Sequence, residues 1–363
     1  MALIIGAKRT AVVPRNGTFG ALFPHDLAAP VVQKLMQDAG LEPGRLDQIF
    51  LANALGGGGN PARMTALAAG LDHISGISID AQCAGGLDAM ALAIAHVDAG
   101  FADVVIAGGS ESFSQRPLRA WNRADGTIDF YSRPPFSPFP DRDPEMVKAA
   151  DDVATLLGID REEQDAFAIN SHHKAMAARE WLQGEIVPIS GVVNDAFPRR
   201  LSPALARRTK ALSGSISVAS TAPEADGAAF CLIVSDRIGI DTDFAARIVA
   251  QHSAGADPTK PPLAPVPAIK RVLAQAGISP NDLSLIEMME AFSVQAIACN
   301  RSCDLPFEKT NLSGGALARG HPIGASGAIL LCRAFHELRR HPGKALCAIA
   351  AAGGIGSALI LEG

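Results

Sequence analysis

The sequence predicts an α/β protein built as two similar halves, with a long irregular segment inserted into the first. Three observations predict it. Short apolar runs alternate with amphipathic stretches, which implies a sheet covered on both faces. CAGGLDAMALAI followed by ADVVIAGGSES echoes GASGAILLCRAF followed by ALCAIAAAGGIGS. Each is a small-residue helix start, an apolar helix, then a strand ending in glycines, so the two Gly-rich turns are expected to face one site. Finally, residues 113–213 break the alternation with text rich in Pro, Arg and Asp.

Taken in order, residues 3–5, 49–52, 104–107, 232–235, 248–250, 285–288, 345–349 and 358–361 read as buried strands. Residues 27–39 and 266–276 read as amphipathic helices. Inside the insertion, SRPPFSPFPDRD is a loop, and one helix follows Asp160, with Glu163 three residues on in a capping-box pattern. Insertions of this size are usually lids or binding surfaces. The expected division is 1–112 with 214–237, the insertion 113–213, and 238–363.

The 363 residues suffice for two or three packed units. A hydrophobic share of 48% against 19% charged fits a soluble globular chain, and the net charge of −5 gives no argument for nucleic acid as a general partner. No apolar run approaches the roughly 20 residues of a membrane helix. MALIIGAKRTAVV reads as a strand and turn with no cleavage pattern after it, so a cytoplasmic enzyme is expected.

The six cysteines are Cys83, Cys231, Cys299, Cys303, Cys332 and Cys347, with no paired CxxC units. Cys299 and Cys303 share a helix face, but two thiols alone make a poor zinc site, and no metal is expected. All except Cys83 sit as small buried hydrophobes. Cys83 follows SIDAQ and precedes AGGLDAMALAIAHV, where Leu87, Met90, Ala91 and Ile94 have helical spacing. That puts it at a helix N-terminus, where free N–H groups and the dipole favour thiolate. Context alone leaves nucleophile and structural thiol both open. In GGALARGHPIGASGA, His321 lies between Gly320 and Pro322. Such a turn projects the ring toward a cavity as a base or hydrogen-bond donor, or bonds it to backbone. A phosphate-cradling loop is another reading, but the Lys of a P-loop is missing, which argues against nucleotide hydrolysis.

DAQCAGGLDAM with VVIAGGSES resembles the nucleophile region of the thiolase family, and NLSGGALARGHPIGASGA, opened by Asn311, resembles its histidine signature. GNPARMTALAAGL, GIDREEQDAFAINSHHKAMAA, MEAFSVQA and AAAGGIGSALILEG continue the resemblance in the family's order, from Arg9–Thr10 to the C-terminus. The resemblance implies a five-layered α/β/α/β/α core with an inserted loop domain acting as an acyl-CoA-binding lid. It implies Cys83 as the acylated nucleophile, His321 as its base, and the backbone N–H groups of Cys83 and Ala352 as an oxyanion hole. The substrate would be an acyl-CoA, with no resident cofactor, in a homodimer or homotetramer.

Five positions depart from the family pattern. Ala350 stands where the family has a second, acid–base cysteine, and Met289 where it has an Asn that holds a water beside the histidine. Glu145 and Met146 replace a histidine region, and Ala222 lies near the place of a Ser that contacts pantetheine. Met146, Ala222, Met289 and Phe292 are therefore substrate-contact candidates. Glu290 and Cys347 are candidate substitute acid–base groups, although Cys347 is an odd number of residues from Ala350 and a regular strand points it to the opposite face. Arg207 and Arg208, in a basic run with Arg199, Arg200 and Lys210, suit CoA phosphates or form a solvated surface. His172 and His173 are expected to face solvent. Three functions follow: a C-acyltransferase with a substituted base, acyl transfer to a ready nucleophile or to water, or an inactive partner subunit.

Overall fold

A computed structural model describes residues 1–56, 58–240 and 242–363. The first sheet contains β1 (Ala2–Arg9), β2 (Gln48–Ala52), β3 (Ile77–Ile79), β4 (Val104–Glu111) and β5 (Ala225–Ser235). Their order is β1-β5-β4-β2-β3, with Val13–Pro14 pairing on β5. The second sheet contains β6 (Arg247–Gly255), β7 (Leu285–Met288), β8 (Lys344–Ala351) and β9 (Ile355–Glu362), in the order β6-β9-β8-β7. The two orders are one pattern used twice. A parallel pair, β2/β4 or β7/β8, is followed by two antiparallel steps, to β5 and β1 or to β9 and β6. All eight residues of β4 and all eleven of β5 are buried, which is why these strands read as unbroken apolar and small-residue runs.

Helices complete five layers. α1 (Pro24–Asp38) and α2 (Pro61–Ala68) cover the outer face of the first sheet through Leu27, Val31, Leu35 and Ala62. α3 (Gly85–Asp98) lies between the sheets, joined there by the later helix Ile323–Leu338. Met90, Ala93, Leu331 and Phe335 from these two helices pack with Ala107 and Ile233 of one sheet and Ala345, Cys347 and Leu359 of the other. The outer face of the second sheet packs against two helices, Pro265–Ala276 and Ser293–Ser302.

The insertion leaves the first sheet after Glu111 and returns at Ala225. It holds a hairpin, Arg119–Asn122 with Ile128–Tyr131, that the sequence did not reveal. It also holds α4 (Met146–Leu157) and α5 (Arg161–Ala177). A short strand at Ile216–Ser217, beyond 213, still pairs within the insertion rather than with the sheet. Together with α6 (Pro265–Ala276), α7 (Ser293–Ser302) and α8 (Ile323–Leu338), these are the main helices. Ala150, Val153 and Ala154 of α4 pack on Val294 and Ile297 of α7, so the insertion leans on the second half.

The α5 cap is half of the expected box. Asp160 Oδ1 accepts from Glu163 N at 2.9 Å, but the Glu163 carboxylate turns outward to Arg301. His172 does not face solvent: it is buried, Nδ1 accepts from the Arg199 N–H at 3.4 Å, and burial holds its pKa down to about 4. Its neighbour His173 is exposed. A buried ionic network ties the insertion to both halves. Arg9 meets Glu185 at 2.5 Å and Asp195 at 2.6 Å, while Arg333 of α8 meets Glu185 and, at 2.8 Å, Glu337.

No helix among the described residues is long and apolar enough to cross a membrane.

Candidate active site

The nucleophile's position begins with one strained residue. After β3 the chain makes a single 3-10 turn, Gln82–Ala84, before α3. Gln82 has φ +52°, a left-handed conformation that costs a non-glycine residue about 1–2 kcal/mol. Asp80 holds it there, accepting from Gln82 N at 2.8 Å and Nε2 at 3.0 Å. The turn delivers Cys83, half-buried, to the start of the helix.

The second half brings the base. His321 N donates to Pro223 O at 2.9 Å, docking the HPIG turn beside the returning insertion. α8 then crosses α3 with backbones in contact. A Cβ on Gly86 would lie 2.4 Å from Ala328 N, and one on Gly327 would lie 2.6 Å from Leu87 N. Only glycine permits this approach. Across it, Cys83 Sγ and His321 Nε2 are 3.3 Å apart.

The hydrogen bonds fix the tautomer. Ser326 Oγ donates its one proton to Pro322 O at 2.9 Å. It must therefore accept from His321 Nδ1–H at 2.6 Å. The Nε2 lone pair is left facing the thiol, as a base requires. Ser326 lies in plain sight in the GASG text, but nothing in the sequence says which way its hydroxyl points.

The electrostatics reverse one expectation. A helix start favours thiolate at Cys83, but burial pushes its thiol up to about 12; the N–H groups of Cys83 and Ala352 oppose that rise, while Glu111 and Asp80 add to it. Burial also holds His321 down to about 4. The resting pair is thus neutral thiol and neutral imidazole. Desolvation outweighs the helix end because the sulfur has left water for an apolar cavity.

That cavity has a volume of about 220 Å³. Its walls include Phe136, Met146, Ala222, Pro262, Phe292 and Ile323, and Ala350–Ala352 line the end of β8. The backbone N–H groups of Cys83 and Ala352 both face the sulfur. Among the described lining residues, Cys83 and His321 are the only titratable ones.

Five of the other candidates lie elsewhere. Met289 is 1% exposed, packs into the central core and does not line the cavity; its N–H is taken by Ala348 O at 2.8 Å. Glu290 accepts from Ser171 at 2.7 Å, Asn311 at 2.6 Å and Leu317 N at 3.1 Å, so its carboxylate ties α5 to the turn after Asn311 instead of serving the cavity. Cys347 is fully buried in the central layer with its thiol on Leu330 O at 3.7 Å. The register of β8 with β9 runs without a bulge, so Cys347 and Ala350 lie on opposite faces. Arg207 and Arg208 sit exposed at the end of the short helix Pro203–Arg208, outside the cavity lining.

Sequence reasoning also missed Glu111. It is fully buried at the end of β4 and accepts from Asn53 Nδ2 at 2.7 Å, Ala54 N at 2.9 Å and Gly324 N at 2.9 Å. It clamps the first turn of α8, and hence His321, to the loop after β2. Burial raises its carboxyl to about 7. A carboxylate closing an otherwise apolar strand was the available signal.

A cysteine and an imidazole meeting over two inward backbone N–H groups, between two copies of one α/β unit, define an acyl-transfer enzyme that works through a thioester. The thiolase N-terminal domain model matches residues 2–237 and the thiolase C-terminal domain model residues 242–363, and the chain belongs to the thiolase family. It is 38% identical to the putative acetyl-CoA C-acetyltransferase YhfS of Bacillus subtilis, over 99% of each chain. It is 34% identical to the acetyl-CoA acetyltransferase of Allochromatium vinosum, over 99% of this chain and 98% of that one. The crystal structure of the Bacillus anthracis acetyl-CoA acetyltransferase superposes with a TM-score of 0.92 at 30% identity, covering 99% of this chain and 98% of that one. The protein is a thiolase-type acyltransferase with the five-layered core of that family.

Proposed function

We propose that the protein takes an acyl group from an acyl-CoA onto Cys83 and passes it to a carbon acceptor. The observation that carries this reading is the 3.3 Å contact between Cys83 Sγ and a His321 Nε2 whose lone pair is fixed toward it. As the sulfur attacks the thioester carbonyl, its proton moves to Nε2. The carbonyl oxygen gains charge facing the Cys83 and Ala352 N–H groups, and losing one such donor typically costs about 10²–10³ in rate. Collapse expels the CoA thiolate, which takes the proton back from His321. No resident cofactor is needed, since the CoA thioester is substrate. The segment 113–213 acts as the lid, with Arg207 and Arg208 offered to the CoA phosphates, and the working form is a homo-oligomer in the cytoplasm.

Incubation with a panel of acyl-CoAs followed by intact-protein mass spectrometry tests the reading. The expected result is one acyl mass increment on the wild type and none on Cys83→Ala. No increment with any acyl-CoA would end the proposal.

A second reading has its own observation. With Ala350 in the cavity and neither Glu290 nor Cys347 reaching it, only His321 is left to remove an acceptor's α-proton. An acceptor that is already nucleophilic needs no such removal. Exchange of α-deuterium into the acyl-CoA separates the two: exchange supports condensation, and transfer without exchange supports the ready acceptor.

A further inference from the structure

A second cavity, of about 330 Å³, lies away from the active site and shares no lining residue with it. Small-molecule sites run from roughly 300 to 1,000 Å³. This one opens where the outer edge of β1 is bare between two covers. Ile4 exchanges backbone hydrogen bonds with Ala246 on one side, and Arg9 bonds to Glu185 O and Val187 N on the other. From Gly6 to Arg9 the register with β5 is unbroken, so Ala7, two residues before Arg9, faces the same outer edge. Its carbonyl accepts from His336 Nε2–H at 2.8 Å, while its N–H meets no acceptor among the described residues. A carbonyl only accepts, so the proton of His336 is on Nε2 and the lone pair on Nδ1. Burial lowers the pKa of that ring and keeps it neutral.

The floor is apolar, made by Ile5, Leu35, Leu232 and Phe335. At the rim stand two opposite charges from different elements: Arg339, just past α8, and Asp243, on the link between β5 and β6. Arg339 lies over the Phe244 ring at 5.5 Å. Neither charge has an ion-pair partner among the described residues. Lys8 of the same cavity, by contrast, is held by Gly184 O at 2.7 Å and Asp38 at 3.6 Å.

We propose that this cavity binds a free α-amino acid with an apolar side chain of about the size of leucine. The ligand carboxylate takes Arg339 and the Ala7 N–H. The ammonium takes Asp243 and His336 Nδ1, and the side chain lies on the floor. A plain carboxylate would leave Asp243 and the imidazole lone pair unused, and a plain amine would leave Arg339 and the N–H unused. A zwitterion is the class that completes all four.

Calorimetric titration of the whole protein with L-leucine tests it, beside two analogues that each lack one charge, 4-methylpentanoate and 3-methylbutylamine. Leucine is expected to bind saturably at one site in the millimolar range or tighter, and each analogue at least about fivefold more weakly, the upper end for an ion pair at an exposed rim. Arg339→Gln and Asp243→Asn, both at exposed positions, are each expected to weaken leucine by a similar factor and to leave the unfolding temperature and Cys83 acylation unchanged. The analogue comparison uses the wild type and needs no variant to fold. Leucine that does not bind at millimolar concentration overturns the proposal. So does 4-methylpentanoate binding as tightly as leucine, which would make this a carboxylate site. Leucine binding that neither variant alters would lie elsewhere on the molecule and overturns it equally.

Discussion

Ser326→Ala removes one oxygen and should slow acylation without touching the nucleophile. In the native site His321 Nδ1–H has a single partner, Ser326 Oγ at 2.6 Å, in a place where burial alone holds the ring's pKa down to about 4. Without that oxygen the N–H is left unpaired away from water, at about 1–3 kcal/mol. The imidazole can escape the penalty by moving its proton to Nε2, but that tautomer points an N–H at the sulfur and cannot accept the thiol proton. Whichever way the ring settles, the reactive tautomer lies higher by roughly that energy. At 1.36 kcal/mol per tenfold, acylation should slow by about 5- to 150-fold.

Rapid mixing with an acyl-CoA and mass detection of acyl-Cys83 gives the rate, and thermal unfolding checks the fold. Ser326→Thr should restore much of it. Threonine on a helix can make the same bond to the carbonyl four residues back that Ser326 makes to Pro322 at 2.9 Å. An alanine variant that acylates within about twofold of wild type would show that His321 needs no tautomer control, and the reasoning would be wrong.

The pH profile of acylation should have its acid limb near pH 4, where His321 protonates, and stay flat through neutrality because the thiol, raised to about 12, does not ionise there. A limb near 6.5 would mean a solvated ring. For the same reason iodoacetamide should label Cys83 no faster at pH 7 than an ordinary exposed thiol; rapid labelling would reveal a thiolate. Ala350→Cys places a thiol on the cavity wall and should raise α-deuterium exchange, with the roughly 10²–10⁴-fold worth of positioned acid–base catalysis as its ceiling; an unchanged rate would show that position 350 does not face the acceptor. Glu287→Gln tests the core by its pH slope. Burial raises Glu287 from 4.5 to about 8, and neither of its oxygens has a hydrogen-bond partner. Between those two pH values the unfolded chain has lost a proton that the native state keeps, so wild-type stability falls as pH rises and the variant escapes that fall. The gap should open above pH 4.5 and level off near 8, with about 5 kcal/mol as its ceiling. Parallel urea-unfolding curves across that range would refute it.

The parts of this fold that the sequence disclosed are those with a one-dimensional signature. Each expected strand exists, most clearly β4 and β5, where burial on both faces leaves an unbroken apolar run, and the internal echo is real: the two similar segments are α3 with β4 and α8 with β8, packed against each other at Gly86 and Gly327. The odd-offset argument for Cys347 held for the same reason, since a strand's period is fixed by its backbone. What stayed hidden depends on what lies across space. The helix start at Cys83 was legible, but the cavity that desolvates the sulfur was not, and desolvation decides the sign of its pKa shift. Met289 looked like a substrate contact by its place in MEAF, yet the turn sends its side chain into the core and leaves Ala291, Phe292 and Gln295 at the wall. Glu290 was a plausible base until Ser171 and Asn311, 119 and 21 residues away in sequence, claimed its oxygens. His172 looked solvent-facing on its helix because its cover, the segment at Arg199, folds back from beyond that helix.

The departures expected from the family pattern differ in kind from what is retained. The proposed oxyanion donors are main-chain N–H groups, one from the turn that opens α3 and one from just past β8, so the fold supplies them whatever the side chains are. The thiol and imidazole meet because two glycine-bearing helices touch, and that contact is central to the core. The approach of the two positions that acylation uses is therefore bound to the architecture, and moving them apart would require rebuilding the interface between the halves. Proton removal from an acceptor depends on side chains at the cavity wall, where Cys-to-Ala at 350 is a small change in volume that leaves packing intact. Sequence drift can alter the acceptor step while the acylation step stays fixed. With Cys83 and His321 as the only titratable groups among the described residues of a largely apolar cavity, an acceptor must either bring its own acidity or rely on the single imidazole.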